Sequence, residues 1–218
     1  MPVITLAIFF LIVLFFIAMI QIEFFEIAFA KLGLTPEGTL FILFGTLLGS
    51  GINLPVYTLI TKNTGHLVNS PGQKPVWELF QPAREGKIVI AINVGGCVIP
   101  VGLCLYFISQ QLLDPMHLLL VLSAITVIAY KFSRPIPGLG VGMPLFVAPL
   151  VSATLALILD PAHAAQLAYI SGVLGVLIGA DILRLKDITS LGAPVASIGG
   201  AGTFDGIFLT GIIAALLA

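Results

Sequence analysis

The sequence predicts an all-α membrane protein, a polytopic bundle of about seven transmembrane helices with one or two of them broken. Three observations predict it. Only 9% of the 218 residues are charged, against roughly 25% in a soluble domain. Mean hydropathy is +1.17. The apolar residues fall into runs of about 15 to 23, near the length that crosses a bilayer, divided by Gly, Pro and charged residues. No polar stretch is long enough to bury a separate core, so residues 1–218 are expected to form a single integral membrane domain. A net charge of -1 gives no electrostatic footprint for nucleic acid.

In chain order, the first expected span is 2–22, a continuous run of Ile, Leu, Val and Phe. It lacks the basic start and small-residue cleavage site of a signal peptide, so it is read as retained. Glu23 to Leu34 reads as a short helix at the interface. The second span, 38–60, contains Gly49-Ser50-Gly51-Ile52-Asn53-Leu54-Pro55, which predicts a broken or kinked helix. Residues 61–87 form the long polar loop. Its turn signal Asn69-Ser70-Pro71-Gly72 predicts a small hairpin, with Trp77 and Phe80 at headgroup level. The remaining spans are expected at 88–109, 116–130, 143–159, 163–183 and 198–218, with a rigid Gly/Pro connection from Lys131 to Gly142.

Two short motifs repeat. Leu113-Asp114-Pro115-Met116-His117 precedes the fourth span and Leu159-Asp160-Pro161-Ala162-His163 precedes the sixth. An internal duplication explains this, and so does ordinary helix-start chemistry, with Asp at the N-cap and Pro in the first turn. His117 and His163 read as turn or interfacial residues. Cys97 and Cys104 read as small packing residues of one apolar span. No metal or cofactor is expected, because the chain has neither a Cys/His cluster nor a phosphate-cradling loop.

Charge predicts orientation. Lys62, Lys74, Arg84, Lys87, Lys131, Arg134, Arg184 and Lys186 fall on one side of these spans, and Lys31 falls on the other. The positive-inside rule then gives a cell-membrane protein of seven spans with a cytoplasmic N-terminus and an outside C-terminus.

The candidate site follows from polar residues at apolar depth. Asp205 lies inside the last span, a position that costs about 2.5 kcal/mol or more for an unpaired charge. Gly199, Gly200 and Gly202 precede it and Gly206 follows, which permits close backbone approach. At 1.5 Å per residue Asp205 sits about 10 Å from the cytoplasmic face. Asn93, followed by Gly95-Gly96, enters from that face; Asn53 and Asp181 approach it. These residues are expected to line one cavity open to the cytoplasm. Two aspartates meeting there would share a proton, so that one activates water and the other acts as acid.

Gly202-Thr203-Phe204-Asp205-Gly206 resembles the G-x-G-D motif of the intramembrane aspartyl proteases, the presenilins and signal peptide peptidases. That resemblance implies Asp181, on the preceding span, as the second catalytic aspartate and a transmembrane peptide as substrate. Phe204 and Ala180 stand where that family has Gly and Tyr, and no P-A-L motif follows. A second resemblance covers more of the chain. Ile90 to Pro100 and Gly199 to Gly211 are similar to an uncharacterised prokaryotic family of integral membrane proteins, domain of unknown function 1614. It implies a multi-span protein and a family role for Asn93 and Asp205.

Two other functions fit the same residues. A transporter or channel would use broken helices around a small solute or ion, with Asp205 as the intramembrane carboxylate. A structural subunit would pack through its glycine faces, alone or as an oligomer. In every case the lipid bilayer is the expected surrounding.

Overall fold

The computed structural model describes residues 2–60, 87–136, 140–188, 195–200 and 206–218. The expected hairpin of the 61–87 loop, with Trp77 and Phe80, lies outside the described residues, as do Gly202 and Asp205.

Helix α1 spans Pro2–Lys31 without interruption. Its length, about 45 Å at 1.5 Å per residue, exceeds a bilayer's hydrocarbon core. The expected separate interfacial helix from Glu23 is therefore corrected: no Pro or Gly falls between residues 2 and 32 to end the first one. Helix α2 (Pro36–Gly49) starts at Thr35, whose hydroxyl accepts a bond from Gly38 N at 3.2 Å. Its apolar run does not stay helical. After Gly49 the chain turns and continues as strand β1 (Asn53–Ile60).

The same break recurs in the third and seventh expected spans. Strand β2 (Lys87–Asn93) passes through a π-helical turn (Val94–Val98) into α3 (Ile99–Ser109). Strand β5 (Val195–Ile198) precedes α8 (Gly206–Leu217). The broken or kinked helix expected over 38–60 is thus corrected to a helix followed by a strand, and the helices expected over 88–109 and 198–218 to a strand that precedes a helix. The runs Leu54-Pro55-Val56-Tyr57-Thr58 and Ile88-Val89-Ile90 are rich in β-branched and aromatic residues, which favour strands. Pro55 removes a donor from any helix that would contain it. In sheet order β1-β2-β5, β1 pairs antiparallel with β2 and β2 pairs parallel with β5. The register shift between Pro55 and Tyr57 sits on an edge strand, where a missing N–H is tolerated. Among the described residues β1 and β5 are the sheet's edges.

Helices α4 (Pro115–Phe132), α5 (Val147–Leu159) and α6 (Ala164–Val176) complete the bundle. A short ladder of β3 (Arg134–Ile136) and β4 (Gly140–Gly142) links α4 to α5. A second π-helical turn (Leu177–Ile182) and a short helix α7 (Leu185–Ile188) follow α6. Both Leu-Asp-Pro motifs act as caps. Asp114 Oδ1 accepts from Met116 N at 2.7 Å, and Asp160 Oδ1 accepts from His163 N at 3.2 Å. By length and composition, 3 of the described helices can cross a membrane: Phe9–Lys31, Pro115–Phe132 and Pro161–Asp187. Helices α2, α3, α5 and α8 are apolar but shorter.

Helix α6 is the centre of the core, with all its residues buried except half-buried Gln166 and Leu174. Its small residues set the approach of its neighbours. A Cβ on Gly172 would stand 3.4 Å from Ser152 Oγ of α5 and from Thr210 of α8. A Cβ on Gly175 would reach Ile125 of α4 at 2.6 Å, and one on Gly179 would overlap the Thr126 carbonyl. Gly211 of α8 lies against Tyr169 and Val173 in the same way. The bundle's two ends are tied separately. At one end Lys31 Nζ donates to Leu216 O at 2.8 Å and Gln166 Nε2 to Leu32 O at 3.4 Å. At the other, Arg184 donates to Tyr130 O at 2.7 Å and Ser133 O at 3.1 Å, and stacks on the Tyr130 ring. The C-terminal ends of α1 and α8 therefore meet the start of α6, while the end of α6 meets the end of α4.

Gly179→Ala is expected to push α4 away from α6, costing roughly 1–3 kcal/mol as overpacked core substitutions do. That lowers the melting temperature in detergent by roughly 2–12 °C. Gly102→Ala, where a Cβ meets nothing within 4 Å, is the control and should leave it unchanged or raise it slightly. Thermal unfolding followed by circular dichroism checks both.

Candidate functional site

The polar residues gather where strands give way to helices. Asn93 ends β2 and opposes Asn53, the first residue of β1, in the sheet register. Its side chain is 0% exposed and almost fully satisfied. Nδ2 donates to Ser50 O at 2.7 Å and to Asn53 Oδ1 at 3.1 Å, and Oδ1 accepts from Gly96 N at 2.7 Å. An amide offers two donors and one oxygen, so little of Asn93 is left for a ligand. Asn53 Oδ1 takes a further bond from Ser197 Oγ of β5 at 2.6 Å. One side-chain cluster thus joins α2, β1, β2, the π-helical turn and β5.

Glycines let these backbones meet. A Cβ on Gly95 would overlap Thr46 O and stand 2.5 Å from Ser50 N; Gly96 is buried beside it. Gly199 and Gly200 have φ of +82° and +78°, a left-handed pair that only glycine adopts without strain. Gly199 also lies against Cys97, which would stand 2.6 Å from an added Cβ. This turn aims the Gly199 N–H at Asp181, whose Oδ2 accepts it at 3.1 Å. The wider π-helical turn of Leu177–Ile182 presents Asp181; such turns are frequent at functional sites.

Half-buried Asp181 also lines a cavity of about 230 Å³ with Val141, Met143, Ala180, Gly206 and Thr210. Among the described lining residues, Asp181 and Thr210 are the ones with polar side chains. The arrangement divides the expected site into two parts. Asn53, Asn93, Gly95, Gly96 and the turn at Gly199 and Gly200 form a joint between strands and helices. Asp181 reaches that joint through Gly199 and separately borders the cavity, as does Gly206. The joint's further members, Ser50 and Ser197, were not singled out in the sequence. A serine among apolar residues carries no charge and no periodic signal. Arg184, which fixes the turn after Asp181, was read there only as a basic loop residue. Among the described residues no group of three or more His, Cys, Asp or Glu is placed to hold a metal.

The described part of the chain is mostly helical, and by length and composition 3 of its helices are long and apolar enough to cross a membrane. Residues 47–217 match the family described as protein of unknown function (DUF1614), and the chain belongs to that family. No curated protein and no solved structure matches it.

Asn93→Ala removes one acceptor and two donors from a closed interior. The Gly96 N–H and the Ser50 carbonyl lose partners, at about 1–3 kcal/mol for each buried group left unpaired. The variant should unfold at lower temperature than the parent and expose the backbone of residues 88–98. Amide hydrogen exchange measured peptide by peptide checks this, and unchanged protection there would contradict it.

Proposed function

We propose that the chain is an integral membrane protein whose chemistry occurs at the Asp181 cavity, with Asp181 and Asp205 as a hydrolytic dyad of the aspartyl protease kind. The observation that carries this reading is that Asp181 and Gly206 border the same cavity. Gly206 is the next residue after Asp205, and consecutive Cα atoms are about 3.8 Å apart. Two carboxyls at one cavity hold a single proton between them, because both resist ionising together. The ionised one takes a proton from water, whose oxygen attacks a peptide carbonyl. The protonated one donates to that carbonyl oxygen. Collapse of the tetrahedral adduct breaks the C–N bond and returns a proton to the leaving amine.

A transport reading keeps one supporting observation: short apolar helices joined to non-helical backbone are the form that solute and ion sites take in transporters. Asp205 would then act singly as the intramembrane carboxylate. The saturated bonding of Asn93 weighs against a solute site at the joint, since a solute would have to displace three hydrogen bonds.

The seven-span topology belongs to this proposal. It places Tyr130, Ser133 and Arg184 on the cytoplasmic side and Lys31 and Leu216 outside, consistent with the pairing of helix ends. Single cysteines at Lys74 and Lys186, in a chain whose Cys97 and Cys104 are replaced by Ala, should react with an impermeant maleimide from the cytoplasmic side. A cysteine at Asp160 should react from outside. Labelling of the Lys186 and Asp160 sites from one side would overturn the span count.

For the dyad, cleavage of a transmembrane peptide by protein in nanodiscs should fall at least 100-fold in both Asp181→Asn and Asp205→Asn, the scale of lost acid–base catalysis. The double variant should be no slower than either single one, because groups that act as a unit are not additive. Full cleavage by Asp181→Asn would leave Asp205 as a single carrier and end the dyad reading.

A further inference from the structure

A second concavity lies beside the Asp181 cavity. It is an open groove of about 540 Å³, lined by Lys131, Phe132, Arg134, Gly142, Met143 and Pro144. Gly142 and Met143 also wall the Asp181 cavity, so the two spaces stand back to back.

Among the described residues its charge has no ionic partner. Lys131 is in the last turn of α4 and Arg134 begins β3; both are exposed. Among the described residues neither forms an ion pair. The nearby Arg184 differs: its guanidinium is spent on Tyr130 O, Ser133 O, Ser133 Oγ and the Asp187 carboxylate. By holding those carbonyls, Arg184 fixes the bend at Ser133 that sets Lys131 and Arg134 on one groove.

The rest of the groove is apolar. Phe132 is 51% exposed, and Leu145 and Phe146, the residues after Pro144, are 41% and 59% exposed. Helix α4 is apolar and 18 residues long, enough to cross a bilayer, so its last turn falls at headgroup level. Two cations beside exposed apolar side chains at that level match one amphipathic ligand. Basic pockets between spans commonly hold anionic headgroups, and arginine suits phosphate by forked hydrogen bonding.

We propose that this groove seats one anionic phospholipid, its phosphate held by Lys131 and Arg134 and its acyl chains lying over Phe132, Met143 and Pro144. The bound lipid then rests on the wall shared with the Asp181 cavity. The site stands whether that cavity hydrolyses or transports.

Native mass spectrometry of the full chain, released from mild detergent, tests it by titration with phosphatidylglycerol, phosphatidylcholine and inorganic phosphate. One phosphatidylglycerol per chain is expected, retained at least tenfold more tightly than phosphatidylcholine. Each cation near an anionic headgroup contributes about fivefold, so Lys131→Gln with Arg134→Gln should weaken retention at least tenfold. Lys131→Arg with Arg134→Lys should keep it. Equal retention of the two lipids by the parent would overturn the proposal, and so would unchanged affinity in the double glutamine variant. Competition by inorganic phosphate at the concentrations where the lipid binds would make this a free-anion site and overturn the lipid assignment. The comparison of lipids on the parent needs no variant to fold.

Discussion

An apolar surrounding cannot hydrogen-bond a peptide group, so any chain that leaves the helix there must find other partners for its backbone. That constraint organises this molecule. Three apolar runs abandon the helix part-way, and each is completed by strand pairing in the β1-β2-β5 sheet. The transition itself is the difficult step, because neither ladder nor helix covers the carbonyls and amides at the junction. Asn93 covers them. Its one side chain bonds the carbonyl that ends α2, the side chain that opens β1 and the amide of the π-helical turn leading into α3. Gly95 makes room for that approach, and Ser197 extends it to β5.

The cavity depends on this joint. Gly199 follows β5 directly, and its left-handed turn carries the N–H that holds Asp181. Arg184 holds the chain just beyond Asp181 to the end of α4. The carboxylate is thus fixed from both sides, by the sheet through Gly199 and by α4 through Arg184. A group fixed in this way loses little on reaching a productive geometry. The glycines of α6 serve the same end by packing α4, α5 and α8 closely, which leaves the Asp181 cavity as a defined space.

Much of the helical part was legible in the sequence. The 116–130 expectation lies inside α4, and the 163–183 expectation covers α6 with its π-helical turn. The Asp-Pro starts were readable because their chemistry is local: a carboxylate reaches an amide two or three residues on. Asn53 and Asn93 stood out as polar groups at apolar depth, although the bond between them is a product of strand register. The strands were not read, because a strand followed by a short helix has the same apolar length as one spanning helix. The distinguishing signal was composition: Ile88-Val89-Ile90 and Pro55 inside a run otherwise long enough to be a helix. Ser50, Ser197 and Arg184 owe their roles to partners far away in sequence, which no local pattern encodes.

The central claim is that Asp181 and Asp205 serve one cavity. The most direct test replaces both by cysteine in a chain whose Cys97 and Cys104 are alanine, then applies a short bifunctional thiol cross-linker in nanodiscs. A disulfide-length bridge requires Cα atoms roughly 4.4–6.8 Å apart, and a slightly longer linker spans two carboxylates that share a proton. The account predicts an efficient intramolecular cross-link between positions 181 and 205, blocked by prior reaction of either thiol. Two cysteines that each react singly with a maleimide, yet never join, would contradict it.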